Sequence, residues 1–160
     1  MGILQDAIAL EERAETNYRS AAETTADAGA KKILLLLADE EARHSDALRM
    51  MKTDVPAMSD GLLSAAQDWI GGSIEGGVGA ISLDASLHKT LQAAMKIEQE
   101  TEAFYREQES VAQDPGIRAL FAVLAGIEHS HYVFVSSLVE YFDRPTEWIE
   151  AAEFGLRDEY

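Results

Sequence analysis

Two short segments of the sequence place a glutamate three residues before a histidine. They are Glu41-Ala-Arg-His44 and Glu128-His-Ser-His131. On a helix, residues three apart lie on one face about a turn apart, so both side chains can reach a single metal ion. Carboxylates and imidazoles bind several divalent metals, and ligand type alone does not select among them. Each segment therefore predicts a metal-binding face, provided that it is helical.

The two segments belong to an internal repeat with an offset of 87 residues and no gap. At this offset Glu11 falls on Glu98, and Glu41-x-x-His44 falls on the second segment. Further identities extend over the same stretch: Glu15 and Glu102, Tyr18 and Tyr105, Arg19 and Arg106, Asp27 and Asp114, Gly29 and Gly116, Leu37 and Leu124, Ala38 and Ala125. One offset aligns both the polar residues and the helix breaks, so the repeat predicts two copies of one helical hairpin.

Four helices that supply Glu, Glu-x-x-His, Glu and Glu-x-x-His form the ligand plan of di-iron and di-manganese carboxylate bundles. The predicted metal ligands are Glu11, Glu41, His44, Glu98, Glu128 and His131. Four carboxylates and two divalent ions would give a neutral buried cluster, whereas the carboxylates alone would repel one another and take up protons. The alternative is a pair of solvated helix faces kept after duplication, but Glu128 and His131 share their face with Leu124 and Val135.

The elements that must position these residues are helices nearly throughout, which predicts an all-α fold. Long stretches rich in Ala, Glu, Leu and Arg favour helices. We predict four helices and a short C-terminal fifth: 3–26, 27–52, 86–112, 114–141 and 146–154. Asp27 and Asp114 are expected to cap the second and fourth helices, with Pro115 at the first helical position.

The segment 53–85 differs from the rest because six of the 11 glycines lie within it, between apolar residues. It is too long for a turn and too apolar for a disordered linker, so we interpret it as a crossover along the bundle. A long crossover between helices 2 and 3 is the ferritin-like topology. The predicted single domain, 1–160, thus contains a first hairpin repeat at 3–52, the crossover, a second hairpin repeat at 86–141 and a tail at 142–160.

The composition restricts the partners. The chain has 160 residues, 13 Lys plus Arg, 29 Asp plus Glu and a net charge of -16. Such an acidic surface repels phosphate backbones and anionic lipids, so we expect no nucleic acid and no membrane as partners. There is no cysteine, which excludes thiolate metal sites within these residues. No secretory signal or membrane-spanning run is recognised, and a cytoplasmic location is expected.

Two pairs of repeated residues near the predicted ligands have two interpretations each. Tyr18 and Tyr105 follow Glu11 and Glu98 by seven residues, on the same helix face. They either donate hydrogen bonds to the ligand carboxylates or fill the core. Glu15 and Glu102 are either additional ligands or solvated surface residues.

The sequence resembles the rubrerythrin branch of the ferritin-like superfamily. The segments that carry the resemblance are Glu11–Tyr18 (EERAETNY), Glu41–His44, Glu98–Tyr105 (EQETEAFY) and Glu128–His131. The resemblance implies a di-iron centre bound by the six residues named above, with the two tyrosines as supporting groups. It also implies reaction with hydrogen peroxide or dioxygen.

The sequence departs from the rubrerythrin pattern in two ways. Rubrerythrins usually carry a rubredoxin domain with four cysteines, and this chain has none, so an electron donor would be a separate protein. Rubrerythrins also have an additional glutamate three residues after the ligand of the third helix. That position is Thr101 here, and Ala14 occupies the equivalent place in the first helix.

Three functions are compatible with this ligand set. The first is a non-haem di-iron oxidoreductase that reacts with peroxide or dioxygen. The second is a ferroxidase or iron-handling protein, and the third is a bundle whose metal, zinc or manganese for example, is purely structural. A homodimer is expected, because the apolar crossover and Trp148 offer surface to a second copy.

Overall fold

The computed structural model describes residues 2–51, 53, 61–62, 64–68 and 85–143. Four long helices account for most of them: α1 (Ile3–Thr24), α2 (Ala28–Met50), α3 (Ala85–Val111) and α4 (Pro115–Asp143). No strand occurs among the described residues. The helices begin and end within about three residues of the predicted bounds, and the predicted all-α bundle is confirmed.

The helix ends follow from local hydrogen bonding. The Asp27 carboxylate accepts a hydrogen bond of 2.8 Å from the Ala30 amide at the start of α2. The Asp114 carboxylate accepts one of 2.9 Å from the Ile117 amide at the start of α4. Each cap satisfies an amide that has no partner within its helix. Both caps stand at the repeat positions where the sequence predicts them.

The helix directions follow from two hydrogen bonds between α1 and α3. Tyr18 donates to Glu98, and Tyr105 donates to Glu11. Higher numbers on α1 thus face lower numbers on α3, so these two helices are antiparallel. Since α1 and α2 form an antiparallel hairpin, α2 and α3 are parallel. The end of α2 and the start of α3 therefore lie at opposite ends of the bundle, separated by about the 35 Å length of a helix, as in the ferritin-like topology.

Part of the predicted crossover is described. Residues 61–62 and 64–68 are helical, and Leu62, Ala65 and Ala66 are buried against the bundle. The remainder of the crossover, the predicted helix 146–154 and Trp148 lie outside the described residues.

The hydrophobic core has two clusters, one at each end of the bundle. The first joins Leu34 and Leu37 of α2 to Leu91 of α3 and Val135 of α4. The second contains Leu48 of α2, together with residues of the other three helices: Ala7, Ile8, Tyr105, Leu120, Phe121, Leu124, Ala125 and Ile127. Ile33, Leu34, Leu37 and Ala38 of the first cluster correspond through the repeat to Leu120, Phe121, Leu124 and Ala125 of the second. The bundle thus has an approximate two-fold symmetry whose axis passes between the clusters.

Helix α4 is the most apolar of the four helices. An 18-residue window within it has a mean hydropathy of 1.2, which by length and composition alone would suffice for a membrane span. Inside the protein 44% of that window is buried, and α4 contributes apolar residues to both core clusters. The same helix carries Glu128 and His131, both buried.

Candidate metal centre

The structure brings all six predicted ligands together between the two core clusters. Helix α1 contributes Glu11 and helix α3 contributes Glu98, while the other four residues are the Glu-x-x-His pairs of α2 and α4. All six residues are buried, with exposures of 1% or less. Carboxylates and imidazoles are rarely buried in this number unless they are paired or bind a metal.

The cluster divides into two groups of four ligands. Glu11, Glu41, His44 and Glu128 form the first group, and each can offer one atom so that all four lie within 4.8 Å of one another. Glu41, Glu98, Glu128 and His131 form the second group in the same way. Glu41 and Glu128 belong to both groups. This is the arrangement expected of a dinuclear centre with two bridging carboxylates, one from each Glu-x-x-His segment.

The histidines present the same nitrogen to the interior. His44 Nδ1 lies 3.1 Å from Glu41, 3.0 Å from Glu128 and 3.6 Å from Glu11. His131 Nδ1 lies 3.6 Å from Glu41 and 3.7 Å from Glu98. The two rings stack with their centroids 5.5 Å apart. Each imidazole therefore has Nδ1 directed at the carboxylates of its own group.

Tyr18 and Tyr105 donate hydrogen bonds to the two predicted ligands that belong to one group only, Glu98 and Glu11. Tyr18 donates to Oε1 of Glu98, and Tyr105 donates to Oε1 of Glu11. Each tyrosine thus donates its hydrogen bond to the glutamate of the other hairpin and not to the glutamate seven residues before it. The bond takes up one oxygen of each carboxylate and leaves Oε2 directed into the cluster.

The unsatisfied atoms of the cluster are those that a metal pair would bind. Within the described part of the chain, six buried side-chain atoms have no hydrogen bond, and they are Glu11 Oε2, Glu41 Oε1, Glu98 Oε2, both carboxylate oxygens of Glu128 and His131 Nδ1. Buried polar atoms normally have a partner. Every exception here belongs to a predicted ligand, so the donor set fits two divalent ions, with oxygen and nitrogen ligands for each.

The electrostatics of the metal-free carboxylates indicate the same need for positive charge. Burial, reinforced by the charge of Glu41 and partly offset by His44, raises the pKa of Glu11 from 4.5 to about 8. Burial likewise raises the pKa of Glu128 well above its usual range, with Glu41 and Glu11 adding to the effect. Burial also acts to raise the pKa of Glu41, but His44 and His131 outweigh it and the net pKa is lowered.

The pKa values of the two histidines are raised, which favours their positively charged form. Burial by itself lowers the pKa of His44, but Glu41 and Glu128 outweigh it, and the net pKa is well above the usual value. Burial by itself also lowers the pKa of His131, but the hydrogen bond to Glu40 and the nearby carboxylates of Glu41 and Glu98 outweigh it, and the net pKa is raised. Without metal, protons on these side chains compensate the carboxylate charge. Metal binding must displace those protons.

The other repeated glutamates lie outside the cluster. Glu15 pairs with Arg19 at 2.8 Å, and its side chain is 27% exposed. Glu102 pairs with His129 at 3.0 Å and with Arg106 at 3.4 Å. Both carboxylates thus have cationic partners near the surface, and neither is part of the four-ligand groups.

One buried residue of the site was not predicted from the sequence. Glu40 accepts a hydrogen bond of 2.6 Å from Nε2 of His131, and its side chain is only 3% exposed. The repeat could not indicate it, because the equivalent position holds Ile127. Its one signal in the sequence is its place directly before the ligand Glu41.

A cavity of about 240 Å³ lies on the outer side of α1 and α3. Ala14 and Thr101, which stand one turn after Glu11 and Glu98, are among its lining residues. Leu10, Arg13, Asn17, Ile97 and Glu100 complete the lining. The absence of a large side chain at Ala14 and Thr101 leaves this space next to the ligand-bearing turns.

The comparisons with known proteins agree with the geometry. No curated protein and no solved structure matches the chain significantly. The family model described as Rubrerythrin matches residues 2–139, which include all four long helices almost to the end of α4. The match spans both hairpins and all six residues of the two ligand groups, and the chain therefore belongs to the rubrerythrin family.

Proposed function

We propose that this protein is a non-haem di-iron oxidoreductase that reduces hydrogen peroxide or dioxygen. The observation that supports this most strongly is the pair of four-ligand groups that share Glu41 and Glu128. Glu41 and Glu128 would hold two ions together, and such a pair would supply a centre that can act on one small molecule. Membership of the rubrerythrin family favours iron as the metal and hydrogen peroxide or dioxygen as the oxidant.

The electron balance sets what the site must provide. Reduction of hydrogen peroxide to two water molecules takes two electrons and two protons, and two bound ferrous ions would supply one electron each. The oxidised centre must then be reduced again. Since these 160 residues contain no cysteine, they contain no thiolate-bound iron to deliver electrons. We therefore propose a separate electron-donor protein.

The residues of the chain orient the ligands and exclude water. Tyr18 and Tyr105 fix the outer carboxylates through hydrogen bonds, which directs one oxygen of each toward the interior. The two hydrophobic core clusters lie on either side of the six predicted ligands and shield them from water. Exclusion of water strengthens the electrostatic interactions among the ligands. The cavity beside Ala14 and Thr101 is the route that we propose for a molecule as small as peroxide.

An anaerobic titration of the metal-free protein with Fe²⁺ tests the site. We expect two irons per chain. Glu128→Ala should abolish tight loading because Glu128 belongs to both groups, whereas Glu15→Ala, a repeated surface glutamate, should keep two irons. Retention of two irons by Glu128→Ala would contradict the ligand assignment.

Rapid mixing of the ferrous protein with oxidants tests the reaction. Oxidation by a stoichiometric amount of peroxide that is much faster than oxidation by dioxygen supports a peroxide reductase. Faster oxidation by dioxygen followed by release of ferric iron would instead indicate a ferroxidase. Binding of two metals without reaction toward either oxidant would indicate a structural metal pair and would refute the proposed function.

A further inference from the structure

The buried residue Glu40 breaks the approximate two-fold symmetry of the site. Glu40 of α2 reaches across to α4 and accepts a hydrogen bond from Nε2 of His131 at 2.6 Å. Its other oxygen lies 3.2 Å from Arg43, whose side chain is half exposed. Arg43 is therefore placed to balance the charge of Glu40 from the surface side.

This contact sets which tautomer the imidazole adopts when it is neutral. Because Nε2 of His131 donates its hydrogen to Glu40, the lone pair of the neutral ring lies on Nδ1. Nδ1 is the atom that faces Glu41 and Glu98, at 3.6 and 3.7 Å. A carboxylate on the far nitrogen also makes the imidazole a stronger base and a better metal ligand.

The other half of the site does not repeat this arrangement. The repeat position equivalent to Glu40 is occupied by Ile127, directly before the ligand Glu128. Ile127 is buried in the second core cluster, and its side chain has no hydrogen-bond acceptor. The carboxylate that the first hairpin supplies to Nε2 of His131 therefore has no counterpart at the equivalent residue of the second hairpin, although the two ligand groups match residue for residue.

We infer that Glu40 is a positioning residue that makes the two metal positions unequal, so that the position bound by Glu98 and His131 fills before the position bound by Glu11 and His44. The inference rests on the dinuclear site of the proposed function. Loss of such an outer carboxylate partner commonly weakens metal binding about 10- to 100-fold. We expect the two dissociation constants to differ by about that factor.

Titration of the metal-free protein with Co²⁺ tests the order. Calorimetry gives the two affinities, and the visible absorption of Co²⁺ reports the geometry of each site as it fills. In the native chain we expect a tight step and a weaker step. His131→Ala should remove the tight step, whereas His44→Ala should remove the weaker one.

Variants of Glu40 separate positioning from mere packing. Glu40→Ala should weaken the tight step about 10- to 100-fold, so that the two steps merge. Glu40→Gln still offers an oxygen to Nε2 and should give an intermediate affinity. The matched control is Glu102→Gln, since Glu102 contacts His129 at 3.0 Å in another carboxylate–histidine pair, away from the cluster. This control should leave both steps unchanged.

The outcomes distinguish this inference from the proposed function. Binding of no Co²⁺ at the cluster would overturn the dinuclear site itself. Two unequal steps that are unaffected by Glu40→Ala, in a variant whose circular dichroism matches the native chain, would overturn the role of Glu40 and leave the dinuclear site standing. Two equal binding steps in the native chain would also overturn the role of Glu40 and leave the dinuclear site standing.

Discussion

Replacement of Glu11 by glutamine should stabilise the metal-free protein while weakening its metal site. Glu11 is completely buried, and its pKa rises from 4.5 to about 8 because burial and Glu41 disfavour its charge. Glutamine is neutral at every pH, and its amide oxygen can still accept the hydrogen bond from Tyr105. The substitution therefore removes the ionisation without removing the acceptor.

The sign and size of the effect follow from proton linkage. Below pH 4.5 Glu11 is protonated in both the folded and the unfolded chain, so its contribution to stability is fully present. Between pH 4.5 and about 8 only the folded state keeps the proton, and stability falls as the pH rises. At about 1.4 kcal/mol per pKa unit, the loss is roughly 3 kcal/mol at pH 7 and roughly 5 kcal/mol above pH 8.

The histidines act in the same direction over this range. The pKa values of His44 and His131 are raised despite burial, so their stabilisation is also lost as the pH rises through their folded-state values. Glu41 acts in the opposite direction: burial raises its pKa, but the histidines outweigh burial and the net pKa is lowered. Its ionised form therefore stabilises the folded protein, and this stabilisation is lost only as the pH falls below 4.5. From pH 5.5 upward, the metal-free protein should therefore become less stable.

Urea denaturation of the chelator-treated protein at pH 5.5, 7 and 8.5 measures these effects. Glu11→Gln should be more stable than the native chain at pH 7, by up to about 3 kcal/mol, with a shallower loss toward pH 8.5. Glu12→Gln, whose side chain is 55% exposed on the same helix, is the control and should keep the native slope. A native free energy of unfolding that is constant or rises between pH 5.5 and 8.5 would refute the reasoning.

Three further predictions concern the metal centre. Glu98→Ala should remove one metal position and spare the other, whereas Glu128→Ala should impair both, and metal analysis after gel filtration distinguishes the two results. Tyr105→Phe frees the outer oxygen of Glu11 and should weaken metal binding by about 10-fold, as measured by competition with a chromophoric chelator. Metal binding at pH 7 should release protons, chiefly from Glu11, Glu128 and the histidines. Calorimetry in buffers of different ionisation enthalpy should detect these protons. Binding without proton release would contradict the raised pKa values.

The repeat is the reason that so much of the fold could be predicted from the sequence. One offset aligned Asp27 with Asp114 and Glu41 with Glu128, so that both helix starts and ligand faces were identified together. The helices α1 to α4 and the rubrerythrin resemblance are confirmed. That the six clustered residues bind a metal pair stays a prediction, as do the homodimer and the cytoplasmic location.

Features that depend on contacts between helices could not be predicted from the repeat. The sequence indicated that Tyr18 and Tyr105 lie on the ligand faces, but the exchange of their hydrogen bonds between hairpins depends on the antiparallel packing of α1 against α3. Glu40 was missed because a comparison of repeats finds only what both copies share. Glu15 lies only one helical turn after Glu11. Which of the two carboxylates is buried depends on how α1 packs against the other helices, and the repeat does not indicate this.

The sharing of Glu41 and Glu128 between the two ligand groups has a mechanical consequence. Each hairpin supplies three of the four ligands of one metal position and shares one of these three, Glu41 or Glu128, with the other position. Two bound ions would therefore act as cross-links between segments 87 residues apart, in a chain without cysteine. A covalent cross-link that closes a loop of about 100 residues is worth roughly 4.7 kcal/mol in chain entropy. The resistance of this protein to unfolding would then vary with the supply of metal around it.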